Sequence, residues 1–299
     1  MVNRVVHITS LSFRDKSKEE IIPLVEQEAS KGCDLIVLPE CWTGETPETV
    51  EEGTTAQLQK IAEKWHVYIV NAVALSSAQH PRTNSSILID RNGKIQGIYS
   101  KMYPFWNEFD QTPPVFIGED APVFETDFGR LGMAICFDAN FNEVWERLSD
   151  NQADIVVWSS AYSAGTSLQA HAINYNYAIV SSTWVGDCVA YDINGEEIFY
   201  QKAENEQDVL ISHVEIDTNR AIFHENFNWY EKKDKLLAEH PDVTLEQYKW
   251  REQWFVLKGS SETQIKELAK QYQMEELPAY KRRSRDEINK MRLLQQKRD

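Results

Sequence analysis

Short apolar runs rich in β-branched residues alternate along most of the chain with segments that have the period of a helix. The clearest run, DLIVL at 34–38, stops at Pro39, as a strand buried on both faces would. Ahead of it, Ser17 and Glu20 have the spacing of a capping box, which predicts the start of a helix. This alternation of strands and helices is typical of an α/β fold.

Two Asn-Gly pairs predict β-hairpins within this alternation. Asn92-Gly93 and Asn194-Gly195 each lie between two strand-like segments, and Asn-Gly favours the tight turn of a two-residue hairpin. Hairpins pair strands antiparallel, whereas βα units pair them parallel. The sequence therefore predicts mixed sheets covered by helices rather than a purely parallel, doubly wound sheet.

The pattern changes in the last part of the chain. From about Tyr230 onward strand-like segments disappear, and the remaining residues favour helix with breaks such as Pro241 and Pro278. We therefore predict a main domain over residues 1–229 and a C-terminal helical extension over residues 230–299.

Composition and charge limit the partners. The 299 residues include 42% hydrophobic ones, enough for a sizeable core, and 31 Lys and Arg against 47 Asp and Glu give a net charge of −16. Such a charge repels phosphate backbones, so no nucleic-acid partner is expected. Because no apolar run approaches the roughly 18 residues of a membrane span and the N-terminus lacks a signal-like apolar segment, we expect no membrane partner and a cytoplasmic location.

Three reactive side chains come where predicted strands end. Glu40 lies in LIVLPECWTG, Lys101 in GIYSKMYPFWNEFD and Cys136 in GRLGMAICFDANFNE. Because the ends of adjacent strands converge in α/β sheets, residues far apart in sequence can meet there. A carboxylate, an ammonium and a thiol in one crevice form a complete apparatus for covalent catalysis.

The chemistry follows from the thiol. A free thiol has a pKa of about 8.5 and is mostly protonated at neutral pH, whereas the nucleophile is the thiolate. Glu40 could accept the proton, and Lys101 with the backbone N–H of Phe137 could hold the charge that develops when sulfur adds to a carbonyl or nitrile carbon. Sulfur, carboxylate and ammonium supply every group this reaction needs, so we expect neither a metal nor an organic cofactor.

In this order the three segments resemble the signature of the nitrilase superfamily, the carbon–nitrogen hydrolases, over about residues 5–222. The resemblance implies a four-layer α-β-β-α sandwich that stacks on a second copy into a homodimer or larger homo-oligomer. It makes Glu40 the base, Lys101 the oxyanion holder and Cys136 the nucleophile. Glu108 matches the auxiliary glutamate that positions the substrate and the lysine.

The residues after the cysteine favour amide-like substrates. Nitrile-cleaving members usually continue with Trp-Glu, whereas amidases and N-carbamoyl hydrolases often have an aromatic or polar residue and then Asp, as in Phe137-Asp138. The arginine that many carbamoyl-amino-acid members carry next, in some cases to clamp a substrate carboxylate, is missing from Ala139-Asn140-Phe141. The predicted substrate contacts are Phe137, Trp106 and Tyr162.

We therefore predict a hydrolase of a small amide or N-carbamoyl compound, with three alternatives open. The first is a nitrilase that converts a nitrile into an acid and ammonia. The second is a thiol protease that uses Cys136 with His171. The third is a non-catalytic binding or scaffold protein that has kept the motifs.

Overall fold

The computed structural model describes residues 2–205, 207–226 and 231–296. These residues form two compact units, one of Val5–Ile216 and one of Val2–Arg4 with the described residues after Ile216. The boundary predicted between residues 229 and 230 lies outside the described residues.

Within the described ranges, the larger unit contains two six-stranded mixed sheets. The first consists of β1 (Val5–Ser12), β2 (Leu35–Val37), β3 (Tyr68–Leu75), β4 (Thr83–Ile89), β5 (Ile95–Ser100) and β12 (Leu210–Asp217), in the order β12-β1-β2-β3-β4-β5. The second consists of β6 (Val123–Glu125), β7 (Arg130–Ile135), β8 (Ile155–Ser160), β9 (Ala178–Thr183), β10 (Asp187–Tyr191) and β11 (Glu197–Lys202), in the order β11-β10-β9-β8-β7-β6. Pairing is parallel from β1 to β3 and from β7 to β9. It is antiparallel from β3 to β5, between β6 and β7, and from β9 to β11, so the predicted mixed sheets are confirmed.

Helices cover the outer face of each sheet. Apolar side chains of α1 (Lys18–Ala29) and α2 (Thr54–Trp65) pack with one face of the first sheet. Those of α3 (Asn142–Asp150) and α4 (Gly165–Tyr175) belong to the core that the second sheet shares with the other face of the first sheet. The layers therefore run α-β-β-α, as the family resemblance implied.

The capping box and the two hairpin turns predicted from the sequence are present in the structure. Ser17 and Glu20 make both hydrogen bonds of the capping box at the start of α1. Gly93 and Gly195 have φ of 71° and 80° in the two hairpin turns, a conformation that glycine adopts without the steric cost of a side chain.

The smaller unit contains a sheet that the sequence analysis did not predict. Its described strands are β13 (Arg220–His224), β14 (Thr244–Lys249) and β15 (Trp254–Lys258), and its helices are α5 (Glu231–Glu239), α6 (Ile265–Gln271) and α7 (Leu277–Gln296). The prediction that strands disappear after Tyr230 is therefore wrong. The physical reason is that β14 is mostly polar and exposed, and it forms by antiparallel pairing with the buried apolar run of β15.

None of the helices in the described ranges combines the length and the hydropathy needed to cross a membrane.

Candidate active site

The structure brings the four predicted catalytic residues to one cavity of about 510 Å³. Glu40 follows β2, Lys101 follows β5 and Cys136 follows β7, so both sheets contribute the end of a strand. Glu108 comes from a 3₁₀ turn at Trp106–Asp110. The lining residues are Glu40, Cys41, Glu45, Asn84, Lys101, Phe105, Asn107, Glu108, Gln111, Cys136, Phe137, Asn140, Ala161, Tyr162 and Trp184.

Lys101 is a buried ammonium held by two carboxylates. Its side chain is 1% exposed, and Nζ donates to Oε1 of Glu40 at 2.7 Å and to Oε1 of Glu108 at 2.6 Å. Burial alone would lower the pKa of Lys101, but the negative charges around it, that of Glu40 first, outweigh burial and raise that pKa well above its usual value. The lysine therefore stays charged and fixed in direction.

Both oxygens of the Glu40 carboxylate have partners. Oε1, which binds Lys101, also accepts from Nδ2 of Asn84 at 2.7 Å, and Oε2 accepts from the backbone N–H of Ala161 at 3.0 Å. Such a set of donors prevents the carboxylate from rotating. A carboxylate held in this way keeps a constant orientation toward the cavity.

Cys136 begins a 3₁₀ turn directly after β7, with a left-handed backbone at φ 46°. A non-glycine residue in this region costs about 1–3 kcal/mol, which the surroundings must offset. Its carbonyl accepts from Nε1 of Trp158 at 3.1 Å and from the hydroxyl of Tyr162 at 3.5 Å. These contacts hold the turn that presents the thiol to the cavity.

The Cys136 thiol is protonated at rest. Burial, followed by the negative charge of Glu40, raises the pKa of Cys136 to about 12, although Lys101 acts in the opposite direction. A thiol with such a pKa becomes a nucleophile only if a base removes its proton during the attack. Glu40 is the carboxylate whose charge acts on it most strongly.

Asp138 connects the cysteine turn to the lysine segment. Oδ2 accepts from the hydroxyl of Tyr99 at 2.7 Å and from the backbone N–H of Ile135 at 2.8 Å, and Oδ1 accepts from the backbone N–H of Tyr103 at 3.0 Å. Tyr99 and Tyr103 lie on either side of Lys101. Burial raises the pKa of Asp138 to about 7. The sequence predicted Asp138 only as part of a substrate-class signature, and its hydrogen bonds in the site were not predicted.

Asn84 is a second residue that the sequence analysis missed. It is 5% exposed, and Nδ2 donates to Oε1 of Glu40 at 2.7 Å and to Oε2 of Glu108 at 3.0 Å. Because ionised carboxylates only accept hydrogen bonds, these contacts fix which end of the amide faces them. Its neighbours in sequence carry no catalytic motif, so only the strand register of β4 reveals it.

The predicted substrate contacts differ in their placement. Phe137 and Tyr162 line the cavity, whereas Trp106 does not line it and is 67% exposed. The ring of Trp106 lies 5.3 Å from that of Phe105, which does line the cavity. Trp106 therefore contacts a residue that lines the cavity but does not line the cavity itself.

His171 lies outside the cavity lining. It is 5% exposed, its Nε2 lies 2.9 Å from the Ala139 carbonyl, and its ring stacks on Trp145 at 4.3 Å. Burial lowers the pKa of His171, which disfavours the charged imidazolium. This placement argues against the thiol protease that pairs it with Cys136. Among the described residues, no three His, Cys, Asp or Glu side chains cluster so that they could hold a metal ion.

Comparisons with known proteins place these features in a family context. Residues 15–222 match the family Carbon-nitrogen hydrolase. A probable nitrilase from Schizosaccharomyces pombe is 30% identical over 177 residues, 53% of this chain and 64% of that protein. A β-ureidopropionase from Arabidopsis thaliana is 27% identical over 204 residues, 62% of this chain and 50% of that protein. The chain thus spans between half and two thirds of these two relatives.

A solved structure shares the fold. A Saccharomyces cerevisiae member of branch 10 of the nitrilase superfamily superposes with a TM-score of 0.62 and 15% identity, over 72% of this chain and 91% of that one. At this identity the likeness concerns the fold alone.

Glu40→Gln tests the electrostatic link between base and thiol. The variant removes the charge that raises the pKa of Cys136 while Lys101 still attracts the thiolate, so the apparent pKa for alkylation of Cys136 by iodoacetamide should fall below about 12. Peptide mapping over about pH 6 to pH 11 would give the rate at each cysteine. Cys33 is the internal control, because it is only half-buried and burial rather than Glu40 raises its pKa. An unchanged profile at Cys136 would contradict the link.

Asp138→Asn tests the connection between the two segments. Its amide cannot accept all three hydrogen bonds, so we expect a loss of about 1–3 kcal/mol in the free energy of unfolding. The folded-state pKa of about 7 exceeds the ordinary 3.8, so the titration of Asp138 contributes stability at low pH that is lost as the pH rises toward 7. The difference between wild type and variant in urea unfolding should therefore be larger at about pH 5 than at about pH 8. A pH-independent difference would show that Asp138 does not titrate in this range.

Proposed function

The chain belongs to the carbon–nitrogen hydrolase family, and we propose that it hydrolyses a C–N bond of a small amide or N-carbamoyl compound through an intermediate on Cys136. The observation that carries this proposal is the position of Lys101, bonded to Glu40 and Glu108 at 2.7 and 2.6 Å in the wall of the cavity that Cys136 also lines.

Acylation begins with removal of the thiol proton. Glu40 accepts that proton as the sulfur of Cys136 adds to the carbonyl carbon, which turns the carbonyl oxygen into an oxyanion. Lys101 and the backbone N–H of Phe137 are the donors proposed to stabilise it. One such donor is worth about 3–4 kcal/mol in comparable oxyanion sites.

Collapse of the adduct breaks the C–N bond. The protonated Glu40 gives its proton to the nitrogen, ammonia or an amine leaves, and the acyl or carbamoyl group stays on the sulfur. A water molecule, deprotonated by Glu40, then attacks the same carbon, the C–S bond breaks, and Glu40 returns the proton to the sulfur. The products are a carboxylic acid or a carbamate together with the regenerated thiol, so atoms and protons balance.

Two observations favour amide-like substrates over nitriles. Phe137-Asp138 follows the nucleophile, and a β-ureidopropionase is among the relatives. A nitrilase is the second candidate, because another relative is a probable nitrilase. Ammonia release from matched pairs of amide and nitrile distinguishes the two, since an amide hydrolase would leave the nitriles intact.

The proposal extends to the location, the subunit number and the domain organisation of the protein. All four cysteines are free thiols, which suits a reducing cytoplasm. We propose a homodimer or larger homo-oligomer on the family resemblance, with residues 1–229 as the hydrolase domain and residues 230–299 as its extension. Light scattering on the purified chain would measure the subunit number.

Cys136→Ala should reduce ammonia release from a library of amides and N-carbamoyl compounds by at least about 10⁴-fold, because no other group replaces the nucleophile. Cys136→Ser is the matched control for side-chain volume, and circular dichroism of both variants should equal that of the wild type. Turnover by Cys136→Ala at the wild-type rate would exclude the mechanism. If the wild type releases no ammonia from any compound and iodoacetamide does not label Cys136 either, a binding role would replace the enzymatic one.

A further inference from the structure

Glu45 is the charged residue of the cavity that the proposed chemistry does not use. It lines the active-site cavity and also an adjoining cavity of about 300 Å³. Cys41 and Trp184 are the other residues shared by the two linings, so these three mark the junction. A substrate whose scissile group lies at Cys136 and whose chain extends toward the second cavity must pass Glu45.

The Glu45 carboxylate is held in place from one side. Its Oε2 accepts from the guanidinium of Arg82 and from Nε2 of Gln111, the latter at 2.7 Å. Arg82 is 5% exposed and does not line the cavity, whereas the Glu45 side chain is 59% exposed. Among the described residues Oε1 has no hydrogen-bond partner. A fixed carboxylate therefore presents one free acceptor at the junction.

The charges that line the cavity are unequal. Three carboxylates, those of Glu40, Glu45 and Glu108, face the single ammonium of Lys101. Lys101 already bonds two of those carboxylates, so no lining cation is free to pair with a substrate carboxylate. Even when buried Arg82 is counted against Glu45, one negative charge is left over.

The nearest basic side chains in the adjoining cavity are also engaged. Arg14 lies 3.3 Å from a carboxylate oxygen of Asp15, and Lys16 lies 3.7 Å from one of Glu20. By contrast, the indole of Trp184 lies at the junction, and aromatic rings attract cations. Carboxylate and indole together form the setting that an ammonium prefers.

We infer that Glu45 selects substrates with a primary ammonium at the end remote from the scissile C–N bond. The inference rests on the proposed function, because it takes the amide or ureido carbon to lie at Cys136. It assigns Glu45 a role in specificity and leaves the bond-breaking steps to Glu40, Lys101 and Cys136.

The test compares ω-amino amides with matched compounds that lack the positive charge. The probes are 4-aminobutanamide, 5-aminopentanamide and 6-aminohexanamide, each paired with the amide in which methyl replaces the amine and with the one in which carboxylate replaces it. For at least one chain length, kcat/KM from ammonia release should be about 10- to 100-fold higher for the ammonium than for the methyl compound, as expected for a hydrogen bond to a charged group. The carboxylate compounds should be the poorest of each set.

Substitution of Glu45 tests whether this residue causes the preference for an ammonium. In Glu45→Gln the ratio of kcat/KM for the ammonium over the methyl compound should fall about 10-fold or more. Glu52→Gln is the control, because Glu52 is exposed and lines neither cavity, and it should keep the wild-type ratio. Equal losses for all three compounds in Glu45→Gln would mean that Glu45 only holds Arg82 in place, and would overturn the inference.

Binding separates this inference from the proposed function. Calorimetry on Cys136→Ala measures the affinity for the same probes without any turnover. Tighter binding of an ammonium probe, lost when Glu45→Gln is added, supports the inference even if no amide is hydrolysed. Hydrolysis of the methyl compounds with no preference for ammonium, or no difference in binding at any chain length, would overturn the inference and leave the hydrolase proposal standing.

Discussion

A single buried ammonium, that of Lys101, holds the candidate site together. An isolated charge at 1% exposure would be strongly disfavoured, and the site is stable because the carboxylates of Glu40 and Glu108 lie 2.7 and 2.6 Å from Nζ. The lysine in turn balances the negative charges of these two carboxylates. Asn84 donates to both of them and closes the arrangement. Removal of Lys101 would leave both carboxylates without the ammonium that balances their charge.

The position of Cys136 depends on another buried side chain, that of Asp138. Asp138 joins the end of β7 to the residues on either side of Lys101 through three hydrogen bonds. The strained turn at Cys136 is thereby tied to the segment that carries the ammonium, so sulfur and Nζ keep a constant relation. Cys136 and Lys101 follow strands of different sheets, and Asp138 hydrogen-bonds residues next to both of them.

The parts that could be predicted from sequence were those with local signals or with convergent strand ends. Ser17, Glu20 and the two Asn-Gly pairs act on their own neighbourhoods, and the positions after β2, β5 and β7 meet because of sheet geometry. Asn84 could not be predicted, because its partners lie 44 and 24 residues away and the contact depends on strand register. The strand β14 was missed since its own residues lack an apolar alternation and the stabilising partner is β15.

The charge balance explains how one lysine can serve both the resting site and the proposed transition state. At rest, Nζ is bonded to both glutamates, and the pKa of about 12 keeps the sulfur neutral. In the proposed mechanism the proton moves from Cys136 to Glu40, so the carboxylate that held Lys101 loses its charge just as an oxyanion forms nearby. The total charge of the cavity is unchanged, and the attraction that Lys101 made with Glu40 is transferred to the oxyanion. The proton transfer that creates the nucleophile is therefore also the event that frees the ammonium to stabilise the product of its attack.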